Sequence, residues 1–203
     1  SSCQHLIGQL LGEQSVTWVN TIGMRPPRLD LLTVRRGFEK IHSWLKPNGK
    51  AENTEMKQPE GLSVVDAKMW PWMKHSWDRQ LNRYLLSRQL DKVSEESIAI
   101  TTIPIVSDLI GKLPVTRWIY YCVDDFSVWP GLDGRSLLRQ ENELLEKVDR
   151  VICVSKTLQD SVGARGRESD LLTHGVDLDF WRYPERELEA HDFGLLPNKP
   201  IAL

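Results

Sequence analysis

Two adjacent carboxylates, Asp124 and Asp125, stand where a run of strand-forming residues stops, in Trp118-Ile-Tyr-Tyr-Cys-Val-Asp-Asp-Phe126. Ile119 to Val123 are apolar or β-favouring, after which the chain turns polar and enters Ser127-Val-Trp-Pro-Gly131. A buried parallel strand is apolar on both faces, and in open α/β sheets the carboxyl ends of such strands form the rim on which ligands bind. A carboxylate on that rim can orient or deprotonate a hydroxyl, or hold a polyol through hydrogen bonds. Asp also has a plain structural use, capping the turn that follows by accepting from backbone N–H groups. Both readings stand for Asp124, whereas the cap is the reading taken for Asp125.

Other residue types add to the candidate chemistry. Eight tryptophans are many for 203 residues; Trp70, Trp72 and Trp77 lie close together in the chain, and Trp129 follows the Asp pair. An indole face at a cleft stacks on the C–H face of a sugar or on a base, and packing within core or loop is the alternative use. Ser155 falls at a strand-to-helix junction, where its hydroxyl suits an N-cap and also lies on the rim. His174 opens the turn His174-Gly-Val-Asp177, in which the imidazole can act as base or donor, or serve turn geometry alone with Gly175 supplying a positive φ. Arg25 and Arg28 flank Pro26 and Pro27 near the carboxyl end of a strand, where they meet either an anionic ligand or solvent.

The elements that must position these residues are legible as patterns. Residues 3–13 read as a helix ending near Gly12, and residues 15–20 as a strand. Apolar residues at 31, 34, 38, 41 and 45 make a helical stripe that stops before Pro47, and residues 48–61 are polar and Lys/Glu-rich. A strand is expected at 62–65, an aromatic loop at 68–72 and a helix over about 77–93. The rhythm then tightens: strand 97–102, short helix 105–111, strand 117–123, helix 137–148, strand 150–154, helix 156–162 and strand 170–172. Connections this long rule out hairpins and predict an α/β, Rossmann-like, doubly wound parallel sheet occupying residues 1–181. Residues 182–203 read as a charged, Pro-punctuated linker ending in the start of a new strand at Lys199-Pro-Ile-Ala-Leu203, so a second domain is expected to follow; the first residue is not Met, so residues upstream are expected too.

Bulk properties exclude several classes. The formal charge is −2 and basic residues are scattered among acidic ones, which gives no electrostatic reason to expect nucleic acid. Cys3, Cys122 and Cys153 have no metal-ligand spacing, and the latter two sit in apolar strands as small hydrophobes, which suits a reducing, cytoplasmic compartment. No run approaches the roughly 20 apolar residues of a membrane span. Neither a phosphate-binding G-x-x-x-x-G-K-[ST], a G-x-S-x-G elbow, an HExxH nor a CxxC is present, and the five histidines are dispersed. No metal and no cofactor is implied.

Three segments in order carry a resemblance: Tyr120-Tyr-Cys-Val-Asp-Asp-Phe126, Glu141-Asn-Glu-Leu-Leu-Glu-Lys-Val-Asp-Arg-Val-Ile-Cys-Val-Ser155, and His174-Gly-Val-Asp-Leu-Asp-Phe180. Together they resemble the amino-terminal domain of GT-B glycosyltransferases, in particular the large retaining group 1 family that includes enzymes of bacterial polysaccharide and teichuronic-acid synthesis. The likeness is best over residues 117–181; before residue 100 it is one of general layout, with Met24-Arg-Pro-Pro-Arg28 and the helix after it as the best parts. The resemblance implies a half enzyme of hexosyltransferase type. This domain would contact a saccharide or lipid-linked acceptor, and a second domain would bind the nucleotide-sugar donor through a pair of glutamates not found here, so the isolated domain is expected to be inactive. Such enzymes often act at the inner face of the membrane as peripheral proteins, although no basic amphipathic helix is visible that would hold this chain there. Many relatives end the equivalent strand in His-Asp; here Asp124 takes the His position, and a carboxylate is a weak base near neutrality unless a like charge beside it raises its proton affinity. Asp124 is taken as the catalytic candidate, and Asp125, Trp129, Ser155, His174, Gly175, Trp70 and Arg25 as candidates for the acceptor cleft, although the family's usual Asn at the position of His174 points to turn geometry there. A noncatalytic Rossmann-like module that binds a saccharide or a protein is the rival reading. A GT-B-shaped sugar-nucleotide epimerase is a third, disfavoured because it needs the same missing half.

Overall fold

The computed structural model describes residues 2–21 and 59–175. All the secondary structure among them belongs to one compact unit that ends at Thr173. In chain order it runs α1 (Ser2–Leu10), β1 (Val16–Asn20), β2 (Leu62–Asp66), α2 (Ser76–Gln89), β3 (Ile98–Thr101), a 3₁₀ helix (Pro104–Leu109), β4 (Arg117–Cys122), a second 3₁₀ helix (Phe126–Val128), α3 (Gly134–Lys147), β5 (Arg150–Cys153), α4 (Lys156–Ala164) and β6 (Asp170–Leu171). The helix expected over residues 29–45, together with Arg25, Arg28 and the segment from Val176 onward, lies outside the described residues.

Among the described residues every strand pairing is parallel, so the protein is α/β. The strands fall into two sheets. β3, β4, β5 and β6 follow one another in a four-stranded sheet, and β1 pairs with β2 in a separate one, Val16 opposite Leu62 through Asn20 opposite Asp66. Among the described residues no ladder joins the two, which differs from the single sheet that the alternating pattern predicts. The sequence supplies the reason. β4 is buried at four of its six residues, whereas Leu62-Ser-Val-Val-Asp66 is half polar and has no fully buried residue, so it does not make the apolar central strand that a continuous sheet needs.

The core lies on the helical side of the larger sheet. Tyr120, Cys122, Val151 and Cys153 from the strands meet Leu137, Leu144 and Leu145 of α3, and Val162 of α4 joins them. α3 is amphipathic because its apolar and buried residues recur three and four apart, at 137, 140, 141, 144 and 145. The segments that leave the carboxyl ends of β2, β3 and β4 join the same cluster through Ala67 and Met69, Ile105 and Leu109, and Phe126. That shared packing brings the three rim loops into one neighbourhood.

Several helix boundaries differ from the sequence pattern, two of them with a visible cause. α3 starts three residues early, at Gly134, because Asp133 caps it by accepting from the Ser136 backbone N–H at 3.3 Å and its hydroxyl at 2.9 Å. Glycine is required at 134, since a Cβ there would stand 2.0 Å from the Ser127 carbonyl oxygen. α2 stops at Gln89, short of Val93, where the Gln89 amide turns back to the Leu85 carbonyl at 2.8 Å and also grips Lys68.

Candidate functional site

The rim loop after β4 is held by its own side chains. Asp124 Oδ1 accepts from the Asp125 backbone N–H at 2.9 Å. Asp125 Oδ1 accepts from the Ser127 N–H at 3.0 Å and the Ser127 hydroxyl at 2.5 Å, capping the 3₁₀ helix Phe126–Val128. Phe126 is buried and Trp129 packs on it with ring centroids 5.6 Å apart, leaving the Trp129 indole 41 % exposed. Both Asp side chains are half-buried, so each keeps a face toward solvent.

Behind this loop a buried polar group ties β4 to the helices. The Tyr120 hydroxyl donates to Glu141 Oε1 at 2.7 Å, and Arg165 Nη1 donates to Glu141 Oε2 at 2.6 Å. Burial raises the Tyr120 phenol well above its ordinary range and pushes the Cys122 thiol up to about 12, with the Glu141 carboxylate adding to both. Cys122 and its strand neighbour Cys153 are free and buried, and the raised Cys122 thiol stays protonated near neutrality, which makes Cys122 a packing group and not a nucleophile.

The rim loop after β2 is built the other way round, from a helix that grips it. Asp78, Asn82 and Gln89 share one face of α2, and each binds the loop. Asn82 Oδ1 accepts from the Trp70 N–H at 2.6 Å, while Asn82 Nδ2 donates to the Trp70 and Trp72 carbonyls at 2.9 and 3.2 Å. Asp78, also buried, accepts from the Trp70 indole N–H at 3.0 Å and the His75 backbone N–H at 2.9 Å. Gln89 exchanges two 2.8 Å bonds with Lys68. The loop's backbone groups are consumed inward, which leaves Trp70 and Trp72 half-buried beside Trp77 of the first turn of α2. Trp72 and Trp77 flank Trp70 with centroids 5.0 and 5.7 Å away, tilted by 50° and 52°, and Trp77 is 55 % exposed. Trp70, Trp72, Trp77, Lys74 and His75 line a depression of about 310 Å³.

A second, larger groove of about 520 Å³ adjoins it, sharing Lys74, His75 and no tryptophan. Its floor is a clasp that joins α2, the first 3₁₀ helix and α3. Arg79 Nε and Nη2 donate to the two Asp108 oxygens at 2.7 Å each, Nη1 donates to Glu143 Oε1 at 3.0 Å, and Nη2 also bonds Glu143 Oε2. The two carboxylates drive the Arg79 guanidinium above its already high range, and Arg79 in turn holds the Glu143 carboxyl below the usual one.

Of the residues singled out from sequence, Trp70 is the hub of the indole cluster, and Asp124, Asp125 and Trp129 share the β4 rim. Ser155 caps α4 by accepting from the Leu158 N–H at 3.3 Å. His174 and Gly175 are exposed. Sequence reasoning missed Asp78, Asn82, Arg79 and Glu141. The first two had a signal, a polar pair four apart on the helix after an aromatic loop, but Arg79 and Glu141 find partners 29, 64, 21 and 24 residues away. Among the described residues no group of three or more His, Cys, Asp or Glu side chains is arranged to hold a metal ion, and no helix is long and apolar enough to cross a membrane. No protein-family model, curated protein or solved structure matches the chain.

Proposed function

We propose that this chain is the acceptor-side, Rossmann-like domain of a nucleotide-sugar-dependent glycosyltransferase of GT-B type, cytoplasmic and acting on a saccharide or lipid-linked acceptor. The observation that supports it most is the indole cluster formed by the loop leaving β2 and the first turn of α2. The Trp70 indole N–H is already spent on Asp78, while the partly exposed Trp72 and the exposed Trp77 beside it offer faces that suit the C–H faces of a pyranose, and packing joins their loop to the one that carries Asp124. In this reading Trp72 and Trp77 seat the acceptor, Asp124 orients the attacking hydroxyl, and a second domain delivers the donor. Catalysis works through positioning and charge stabilisation.

The test is turnover by the complete protein. Release of free nucleotide from a nucleotide-sugar should require an added acceptor, and Asp124→Asn should lower kcat by about a hundredfold, the lower end of what a positioned acid or base contributes. Unchanged turnover in Asp124→Asn would remove that residue from the chemistry. One observation favours a second reading, a saccharide-binding module without catalysis: both Asp124 and Asp125 already accept from local backbone N–H groups. Saccharide binding with no nucleotide release under any acceptor would select it.

A further inference from the structure

The two adjoining depressions differ in chemistry, and the difference specifies a ligand. The smaller is aromatic. The larger has three cations, Lys74 from the loop, Arg83 from α2 and Arg139 from α3, which come from separate segments and converge on one concave surface. Asp108 and Glu143 also line it, but their lone pairs are directed at Arg79, which uses Nε, Nη1 and Nη2 on them. Arg83 and Arg139 have no side-chain hydrogen bond or ion pair among the described residues. Lys74 acts at a distance on Asp133, whose carboxyl is desolvated yet held low, first by Ser136 and then by Lys74 and Arg135. Two cations without a close partner, and Lys74 beside them, therefore surround one clasp whose carboxylates exceed its guanidinium by a single charge. The amino end of α2, at His75 and Ser76, adds the positive end of its dipole to the same groove.

We infer that the ligand of this surface is a phosphorylated saccharide, its ring on Trp72 and Trp77 and its phosphate in the groove of Lys74, Arg83 and Arg139. Lys74 and His75, common to both depressions, mark the junction where the phosphoester would cross. The inference rests on the saccharide reading of the indoles but not on glycosyl transfer. The phosphate belongs either to a soluble sugar phosphate or to a lipid-linked one, since both present the same anion next to a ring.

The experiment is calorimetric titration of the protein at low salt with glucose, glucose 6-phosphate, N-acetylglucosamine 1-phosphate and inorganic phosphate, and flotation with vesicles carrying a polyprenyl-linked sugar phosphate. A sugar phosphate should bind at least tenfold tighter than its parent sugar. Arg83→Gln and Arg139→Gln should each weaken it about tenfold, the loss expected for one charge-assisted contact. Trp77→Ala should weaken sugar and sugar phosphate alike. Binding in solution assigns the soluble source, and binding only to the vesicles assigns the lipid-linked one. Equal affinity for sugar and sugar phosphate, or arginine variants without effect, would overturn the phosphate and leave the saccharide reading intact. Inorganic phosphate binding as tightly as the sugar phosphates, with Trp77→Ala silent, would overturn both.

Discussion

The loops after β2 and β4 leave strands of different sheets, pack into one core cluster and solve the same problem, satisfying backbone groups at a rim, in opposite ways. After β4 the loop caps itself: Asp124 and Asp125 turn their carboxylates on N–H groups one and two residues away, so the charges that look most chemical are partly spent locally. After β2 the polar work is done by α2, through Asp78, Asn82 and Gln89, and the loop is free to present indoles. A loop held from behind can offer unused surface; a loop held by its own side chains offers what is left over. That contrast is why the aromatic loop, and not the Asp pair, carries the ligand argument here.

The largest expected effect tests how β4 is held. Glu141→Ala strands the wholly buried Tyr120 hydroxyl and takes the carboxylate from Arg165, which keeps Asn142 and the Ser161 carbonyl, at a cost of about 3 kcal/mol. Urea denaturation should show that loss, while the part of the protein still folded should keep its near-ultraviolet tryptophan signal, because the indole loop is anchored elsewhere. Loss of both together would mean that the two rims are not separately supported.

Asn82→Ala tests the other rim. The substitution leaves the Trp70 N–H and two carbonyls without their partner, at a cost of about 2–3 kcal/mol for the buried groups. Its sharper readout is ligand affinity: saccharide binding should fall by more than tenfold even where the protein remains folded, since Trp70 and Trp72 lose their register. An Asn82→Ala protein that binds saccharide normally would show that the indoles hold themselves.

What was legible follows from how far apart the partners are. β4 and β5 are readable because a buried parallel strand announces itself as an unbroken apolar run, and Ser155 because a cap bonds three residues on. The start of α3 also had a local signal, Asp133 followed three residues later by Ser136, which the apolar stripe beginning at Leu137 outweighed. By contrast, nothing within a short window says that β2 pairs with β1 and, among the described residues, with no strand of the larger sheet, or that Arg79 will find Glu143 64 residues away. Long-range pairing is settled by packing, and so the groove, unlike the Asp pair, could be found only in three dimensions.

The smallest expected effect concerns the clasp between the two rims. Arg79 holds the Glu143 carboxyl below its ordinary value of 4.5, chiefly through their hydrogen bonds. A carboxyl whose folded value is depressed contributes stability that is fully present above the unfolded value and disappears as pH falls through the folded one. Stability should therefore decline below about pH 4.5, and Glu143→Gln should flatten that decline while leaving the neutral-pH value lower by about 1 kcal/mol, because the pair is partly open to water. Asp108 would still hold Arg79 by both oxygens, so the groove should keep its shape and lose one carboxylate. In Glu143→Gln a sugar phosphate should bind more tightly at neutral pH and a neutral sugar unchanged. If both ligands weakened together, the clasp would be holding the indoles as well as the groove, and the two rims would count as one support.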